Sequence, residues 1–392
     1  LLLRIHPPVQ MLPFPMPRLA LVVNEPPPYR IPVFNRLAAL PGLDVRVIFC
    51  CRREPNRHWN LPEIKFDHMF LRERIRTVNG RYIHNNPDVL IALGKFDPHV
   101  VVGNGFNPTH LYARLWTLLR RRAYVPMTDG TLTSEKNLGP IHQRLRRFVY
   151  ERASALIAAS KGGLALYRSY GVDDWRCYLS CLCIDNRLYK CNAQQPSKPW
   201  DFIFCGRLES GKAPEFALRV AEQCARRLER KIRLLIVGSG SLEQSLKQQS
   251  DRLSDLIDTH FHGFAQQEEL PALYQSARLF LFPTRADVWG VVANEACAAG
   301  LPVIVSPHAG VAGELVVDGK NGFVRELDLD QWTACALKLL QHPARCAAFG
   351  RHSELLVEPY HFDAAARGIA EATDAALTTA AKNPQAVVRR PA

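Results

Sequence analysis

Four charged side chains in the second half of the chain carry most of the chemistry that residue type and spacing can supply. Asp287 and Glu295 are separated by seven residues in PTRADVWGVVANEACAAGLPVIVSPHAGVAGELVVDG, residues 283–319. A helix starting near Trp289 or Gly290 puts Glu295 in its second turn, where a carboxylate can accept two hydrogen bonds from vicinal hydroxyls. Asp287, in the loop before that helix, is placed to bind hydroxyls of a second polar group. Backbone N–H groups of Gly290 and Val291 at the helix start can meet a diphosphate. Upstream, CGRLESGKA (205–213) sets Arg207 and Lys212 directly after an apolar run. Arg207 as a planar fork and Lys212 as a point charge can hold a diphosphate. Taken singly, each of the four also reads as a cap or a solvated surface charge. In VGSG (237–240), Gly238 and Gly240 either let the backbone approach a ligand or make a tight turn.

These residues need strands and loops to bring them together. Short β-rich apolar runs alternate with longer helical patterns, as in parallel sheets covered by helices. Strands are expected at 19–23, 45–49, 100–102, 123–127 and 155–158, and again at 202–204, 233–237, 279–282 and 302–305. Runs such as LLIV and LFLF fit strands buried on both faces. Between the two series, NAQQPSKPW (192–200) is polar and carries Pro196 and Pro199, the composition of a linker. The expected organisation is α/β: a first doubly wound domain at 17–192, a second at 200–355, and at 356–392 a helix returning to the first domain, plus a tail. Ligands of such sheets bind at the carboxyl ends of the strands, so the cleft between the domains is the expected site.

Composition narrows the classes. With 392 residues and 47% hydrophobic, the chain can build two cores, and 22% charged residues exclude an intrinsically disordered protein. No uninterrupted apolar run approaches the ~18 residues of a membrane span. The net charge of +13 is unevenly placed. Residues 1–195 hold 28 Lys and Arg against 14 Asp and Glu, whereas 196–392 hold 22 against 23. The basic first half implies an anionic partner: nucleic acid, an anionic membrane surface or a phosphorylated substrate. Eleven cysteines, an odd number, argue against a disulfide framework. Cys177, Cys181, Cys183 and Cys191 lack metal-site spacing, so no metal centre is expected. Leu1 to Leu3 is too short for a signal-peptide core, and Pro7, Pro8, Pro13, Pro15 and Pro17 interrupt anything longer. Met11 or Met16 is expected to lie nearer the natural start, the end with Arg389 and Arg390 reads as a frayed tail, and a cytoplasmic location is expected.

The combined pattern resembles the retaining glycosyltransferases of family 4, which have the GT-B fold of two Rossmann-like domains facing each other across a cleft. The resemblance covers Phe202 to about Val324. It rests on Pro283 and Thr284, Asp287, Glu295, the small-residue helix 296–300 and the strand start Leu301, Pro302, Val303. Arg207 and Lys212 match the element that binds the donor diphosphate. Gly310, Glu314, Gly319 and Gly322 match the glycine-rich turn and the segment after it. This resemblance implies a nucleotide-sugar donor, with Glu295 on the nucleotide ribose, Asp287 on the transferred sugar, and Gly238, Gly240, Gly290 and Val291 lining the donor. The chain departs from the family in Asp287, one methylene shorter than the usual Glu, and in Ala213, where Gly is usual after the Lys. Ala309 likewise replaces the first Gly of the usual pair before Glu314.

The first half is the expected acceptor domain. Its NEPPPYRIPVFNRLAAL (24–40) resembles the first loop and helix of a subgroup of these enzymes. Arg30 there either reaches a phosphate across the cleft or is a surface arginine. Asp129, in MTDGTL (127–132), stands where relatives often place a His near the reacting sugar. It either takes part in binding and catalysis with Asp287, Arg207 and Lys212 or starts the turn with Gly130. The loop with Cys183, Ile184, Asp185 and Asn186 matches the family's Val-Asp loop before the linker and is read as structural. Arg120, Arg121, Arg122, Arg144, Arg146, Arg147 and Arg152 fall on or beside helical stretches. They form either a face for the acceptor and an anionic membrane or a solvated helix surface.

The implied reaction is transfer from a UDP- or GDP-linked sugar to a hydroxyl of a saccharide, polyprenyl-diphosphate-linked or otherwise lipid-linked. Configuration is retained, no metal or other cofactor is required, and the place is the inner face of a membrane during cell-surface polysaccharide or glycolipid synthesis. The alternatives are a nucleotide-sugar epimerase of the same fold, a relative that binds a sugar nucleotide without turnover, and a non-catalytic protein binding nucleic acid or an anionic surface. No zinc finger or RNA-binding motif supports nucleic acid as the partner.

Overall fold

A computed structural model describes residues 16–55, 60–78, 81–190 and 198–382. Pro7, Pro8, Met11, Pro13, Pro15, Cys191, most of the linker stretch and the tail with Arg389 and Arg390 lie outside the described residues.

The apolar runs form the strands of two parallel sheets. In the first half these are β1 (Arg18–Val23), β2 (Asp44–Phe49) and β3 (Asp67–Phe70), then an antiparallel hairpin of β4 (Ile75–Val78) and β5 (Arg81–His84). They continue with β6 (Val100–Gly103), β7 (Ala123–Thr128), β8 (Leu156–Ala158) and β9 (Cys177–Leu179). The seven-stranded sheet runs β3-β2-β1-β6-β7-β8-β9. The second half supplies β10 (Trp200–Cys205), β11 (Ile232–Val237), β12 (Ile257–Gly263), β13 (Ala277–Phe282), β14 (Val303–Val305) and β15 (Gly322–Val324), in the order β12-β11-β10-β13-β14-β15. Both orders run outward in opposite directions from a central pair, so each sheet has a topological switch point, between β1 and β6 and between β10 and β13.

Side-chain alternation explains the continuous apolar runs. Phe202, Phe204, Leu234, Ile236, Leu279 and Leu281 face the helices Pro214–Leu228 and Leu329–Leu340. Their neighbours Ile203, Cys205, Leu235, Val237, Phe280 and Phe282 point the other way, toward the helix Val291–Ala298. Both sheet faces are therefore buried, as parallel strands with crossover helices require.

The two halves are joined at more than one place. Leu182, Ile184 and Tyr189 already pack in the core of the second sheet. The crossing thus begins ahead of the polar stretch at 192–200. Ala365, Ala366, Ile369, Ala372 and Ala376 of the helix Phe362–Lys382 return to the core of the first sheet. Among the described residues, no helix is long and apolar enough to cross a membrane, and no group of three or more His, Cys, Asp or Glu is placed to hold a metal ion.

Candidate functional site

The loops after β10, β11 and β13 form one rim at the switch point of the second sheet. Backbone hydrogen bonds knit the first two: Gly206 N–H to Val237 O at 3.0 Å and Leu208 N–H to Ser239 O at 2.9 Å. Gly238 has φ +131°, and a Cβ there would lie 1.9 Å from the carbonyl oxygen of Gly206. A Cβ on Gly240 would likewise meet Leu208 O, at 2.5 Å. Loop-to-loop contact therefore accounts for glycine at both positions.

The third loop is latched to the first. Arg285 N–H donates to Gly211 O at 2.9 Å, and Thr284 Oγ1 donates to the same oxygen at 3.1 Å. Those contacts bring Lys212 against Asp287, with Nζ 2.5 Å from Oδ2. Asp287 Oδ1 accepts from the N–H of Trp289 at 3.2 Å, and the Asp287 backbone is pinned by bonds to His308 and Gly310. Both carboxylate oxygens are thus engaged. Arg207 is exposed and has no ion-pair partner among the described residues, so it is the rim's free cation. Lys212 is followed by Ala213 in the left-handed region, φ 48°, where a side chain is strained.

The helix Val291–Ala298 begins at Gly290, whose φ is +106° and whose Cβ would lie 2.4 Å from the Phe282 ring. Ala293 N–H donates to Gly290 O at 2.9 Å, and the N–H groups ahead of it in the first turn have no acceptor four residues back in the helix. Glu295, in the second turn, is only 7% exposed, and Tyr274 Oη donates to its Oε2 at 2.9 Å. Burial pushes this carboxyl up to about 7, against the opposing effect of hydrogen bonds from Tyr274 and Tyr189. Glu295, Val291 and Val292 line a cavity of about 890 Å³ whose opposite wall includes Pro28, Tyr29 and Pro32 of the first domain. Arg207, Lys212 and Asp287 are not part of that wall. The carboxylate and the cationic rim thus occupy two ends of one sheet edge.

Across the cleft, Glu314 Oε2 accepts from the backbone N–H of Lys161 at 2.9 Å, and Tyr360 Oη donates to Oε1 at 3.3 Å. Burial raises the Glu314 pKa, partly opposed by the bond from Lys161. This carboxylate ties the glycine-rich turn to the first domain.

Arg30 differs from both readings of it. It is 1% exposed, and its guanidinium donates to Ser180 O at 3.0 Å, Ser180 Oγ at 2.9 Å and Asp129 Oδ1 at 3.1 Å. It is not a surface arginine: Nη1 and Nη2 are engaged by these acceptors inside the first domain, and Nε is buried without a partner among the described residues. The same contact fixes Asp129, at the carboxyl end of β7, as the partner of a buried cation.

The basic helices are also less free than their sequence suggests. Arg146 lies 4.3 Å over the Phe106 ring and pairs with Glu135 at 2.7 Å, its side chain only 12% exposed. Arg122 shares Asp97 with Arg18, each at 2.9 Å. Neither belongs to an open cationic face. Arg121 and Arg147 are exposed, as are Arg144 and the apolar Ile141 and Phe148. Sequence reasoning missed Tyr274, Tyr189 and the Arg30–Asp129 pair. Only the Tyr in LPALYQ, one turn before a strand, offered a local signal.

Comparison with known proteins shows what this geometry is similar to. Residues 187–356 match the model of Glycosyl transferases group 1. A D-inositol 3-phosphate glycosyltransferase of Gordonia bronchialis is 31% identical over 198 residues, covering 47% of this chain and 42% of that protein. One of the same name from Segniliparus rotundus is 27% identical over 298 residues, 69% of this chain and 66% of that one. The chain thus spans less than two thirds of the length of these curated relatives. The fold is that of Anabaena Alr3699/HepE, solved in complex with UDP, at TM-score 0.71, 16% identity, 91% of this chain and 99% of that one. It is also that of WaaG, a glycosyltransferase involved in lipopolysaccharide biosynthesis, at TM-score 0.64, 16% identity, 90% and 98%. The chain therefore has the GT-B fold of glycosyltransferases, two Rossmann-like domains across a cleft, and its residues 187–356 are similar to the group 1 glycosyl transferases.

Proposed function

We propose that this protein is a retaining glycosyltransferase of family 4 that moves a sugar from a nucleoside diphosphate to a hydroxyl of a saccharide acceptor. The observation that carries this reading is the sheet edge itself: Lys212 against Asp287 at 2.5 Å, with Glu295 buried beyond them on the helix that starts at Gly290. In this reading the donor diphosphate lies on Arg207 and Lys212 and on the N–H groups of Gly290 and Val291. The ribose hydroxyls donate to Glu295, and the sugar hydroxyls to Asp287. The rim of Gly238 and Gly240 closes the donor's outer side.

The bond from the anomeric carbon to the β-phosphate oxygen breaks, and a bond to the acceptor oxygen forms on the same face. The leaving diphosphate takes the acceptor's proton. Arg207, Lys212 and the helix N–H groups stabilise the charge that develops on it. Two cations and a helix terminus match the diphosphate charge, which is why we propose that the reaction requires no metal or other cofactor. Asp129, held by Arg30 at the carboxyl end of β7, is assigned to hydroxyls of the acceptor or the sugar. UDP and UDP-glucose bound to the Anabaena protein of the same fold support a UDP-linked donor; a GDP-linked one is the other candidate.

The acceptor is proposed to be lipid-linked, such as a polyprenyl diphosphate saccharide, at the inner face of a membrane in cell-surface polysaccharide or glycolipid synthesis. Exposed Ile141, Arg144, Arg147 and Phe148 on the helix Pro140–Glu151, together with Arg121, support contact with an anionic membrane. A transfer assay with lipid-linked acceptors and NMR of the anomeric centre tests the reading. Acceptor-dependent release of nucleoside diphosphate with an unchanged anomeric configuration is expected. An epimeric nucleotide sugar formed from donor alone would overturn it.

A further inference from the structure

The contact between Lys212 and Asp287 has a consequence for which ligands the site prefers. The loop 210–213 is held against the loop 284–287 by the two bonds to Gly211 O, so the ammonium and the carboxylate are brought together by the fold. Both side chains are about four-fifths buried, at 21% and 19% exposed. A charge pair so shielded is screened less than a surface pair and is correspondingly harder to separate. Asp287 cannot turn away cheaply, because its second oxygen holds Trp289 N–H and its backbone is pinned on both sides.

A bare nucleoside diphosphate offers this site only anionic oxygens. To use Lys212 it must share the ammonium with Asp287 or draw it off, and either way it brings no donor to compensate the carboxylate. It also sets a diphosphate near an uncompensated carboxylate, a like-charge contact that disfavours binding. A sugar-bearing donor differs at that one point. Its hydroxyls donate to Asp287 while Lys212 shifts to the phosphate, so every group that loses a partner gains another.

We propose that the Lys212–Asp287 pair makes Asp287 a specificity-determining residue that favours the sugar-bearing donor over the bare nucleoside diphosphate. After transfer, loss of the sugar leaves Asp287 free to reclaim Lys212, and the nucleotide is released. Asp287 here does more than hold the sugar: it weakens the product complex. The inference rests on the donor site proposed above.

The test is calorimetric titration of the full chain with UDP, GDP and ADP and with UDP-glucose, GDP-mannose and ADP-glucose. It compares the wild type with Asp287→Asn, Lys212→Met and the double variant. Asp287→Asn is expected to tighten the bare nucleotide about tenfold and not to tighten the matching sugar nucleotide. The gain is expected to vanish in the double variant, because it depends on the freed ammonium. Asp287→Ser, which removes the charge without an amide, repeats the test should the Asn protein fold poorly. Unchanged or weaker binding of the bare nucleotide by the folded Asp variants would overturn the inference, as would a gain that persists without Lys212. Should the wild type bind no nucleotide of either kind, the donor site itself falls, and the inference with it.

Discussion

Replacing Glu295 by Gln separates a buried carboxyl's charge from its shape. Glu295 is shut into an apolar and aromatic setting with Tyr274 and Tyr189 as its hydrogen-bonding partners, and burial lifts its pKa to about 7 from an ordinary 4.5. A folded-state pKa above the unfolded one contributes stability that is full below pH 4.5 and is lost as pH rises through 7. At about 1.4 kcal/mol per pKa unit, most of this loss falls between pH 5 and pH 8 and amounts to about 2.5 kcal/mol. Glu295→Gln stays neutral throughout and keeps an oxygen for Tyr274. Urea denaturation of the ligand-free proteins should therefore show the variant gaining on the wild type by about that amount over this range. Ligand binding should run the opposite way. Hydroxyl donors prefer the ionised form, so nucleotide-sugar affinity of the wild type should fall about tenfold from pH 8 to pH 6. A stability gap that stays flat from pH 5 to pH 8 would refute a carboxyl whose burial outweighs its two tyrosine hydrogen bonds.

Four further perturbations test other parts of the structure. Ala213→Gly relieves a left-handed alanine and should raise unfolding stability by about 1 kcal/mol in the same denaturation assay. Arg30→Met strands Asp129 and the Ser180 acceptors and should lower stability by about 3 kcal/mol, whereas Arg121→Ala at the exposed helix end should change it by less than about 0.5. Reversing Arg144 and Arg147 to Glu should weaken co-sedimentation with anionic vesicles by about tenfold or more at low salt, with little difference on neutral vesicles.

How much of this was legible from residue order depends on where each element sits. The central strands β1, β2, β6, β7, β10, β11, β13 and β14 are buried on both faces, so their apolar runs are plain. Polar edge strands are not: β12 reads IDTHFHG and β3 reads DHMF, because a strand with an exposed side tolerates His, Asp and Thr. β9 reads CYL and is incompletely buried, and β15 opens on a glycine, GFV, so neither stands out as an apolar run. The rim of the second sheet was legible because Arg207, Lys212, Asp287 and Glu295 all follow strand ends at short fixed offsets. The burial of Arg30 was not, since its partners Asp129 and Ser180 lie 99 and 150 residues away. Arg146 misled for the same reason: helical spacing cannot reveal that Phe106 and Glu135 cover it.

The central claim is that a nucleoside diphosphate sugar binds along the edge formed by Arg207, Lys212, Asp287 and Glu295. Its most direct test is a thermal-shift panel of UDP-, GDP- and ADP-sugars on the wild type and on Glu295→Ala. One nucleotide series should raise the wild-type melting temperature, and the same series should leave the variant's unchanged. A wild type that none of the donors stabilises, or a variant stabilised as strongly as the wild type, would contradict the account.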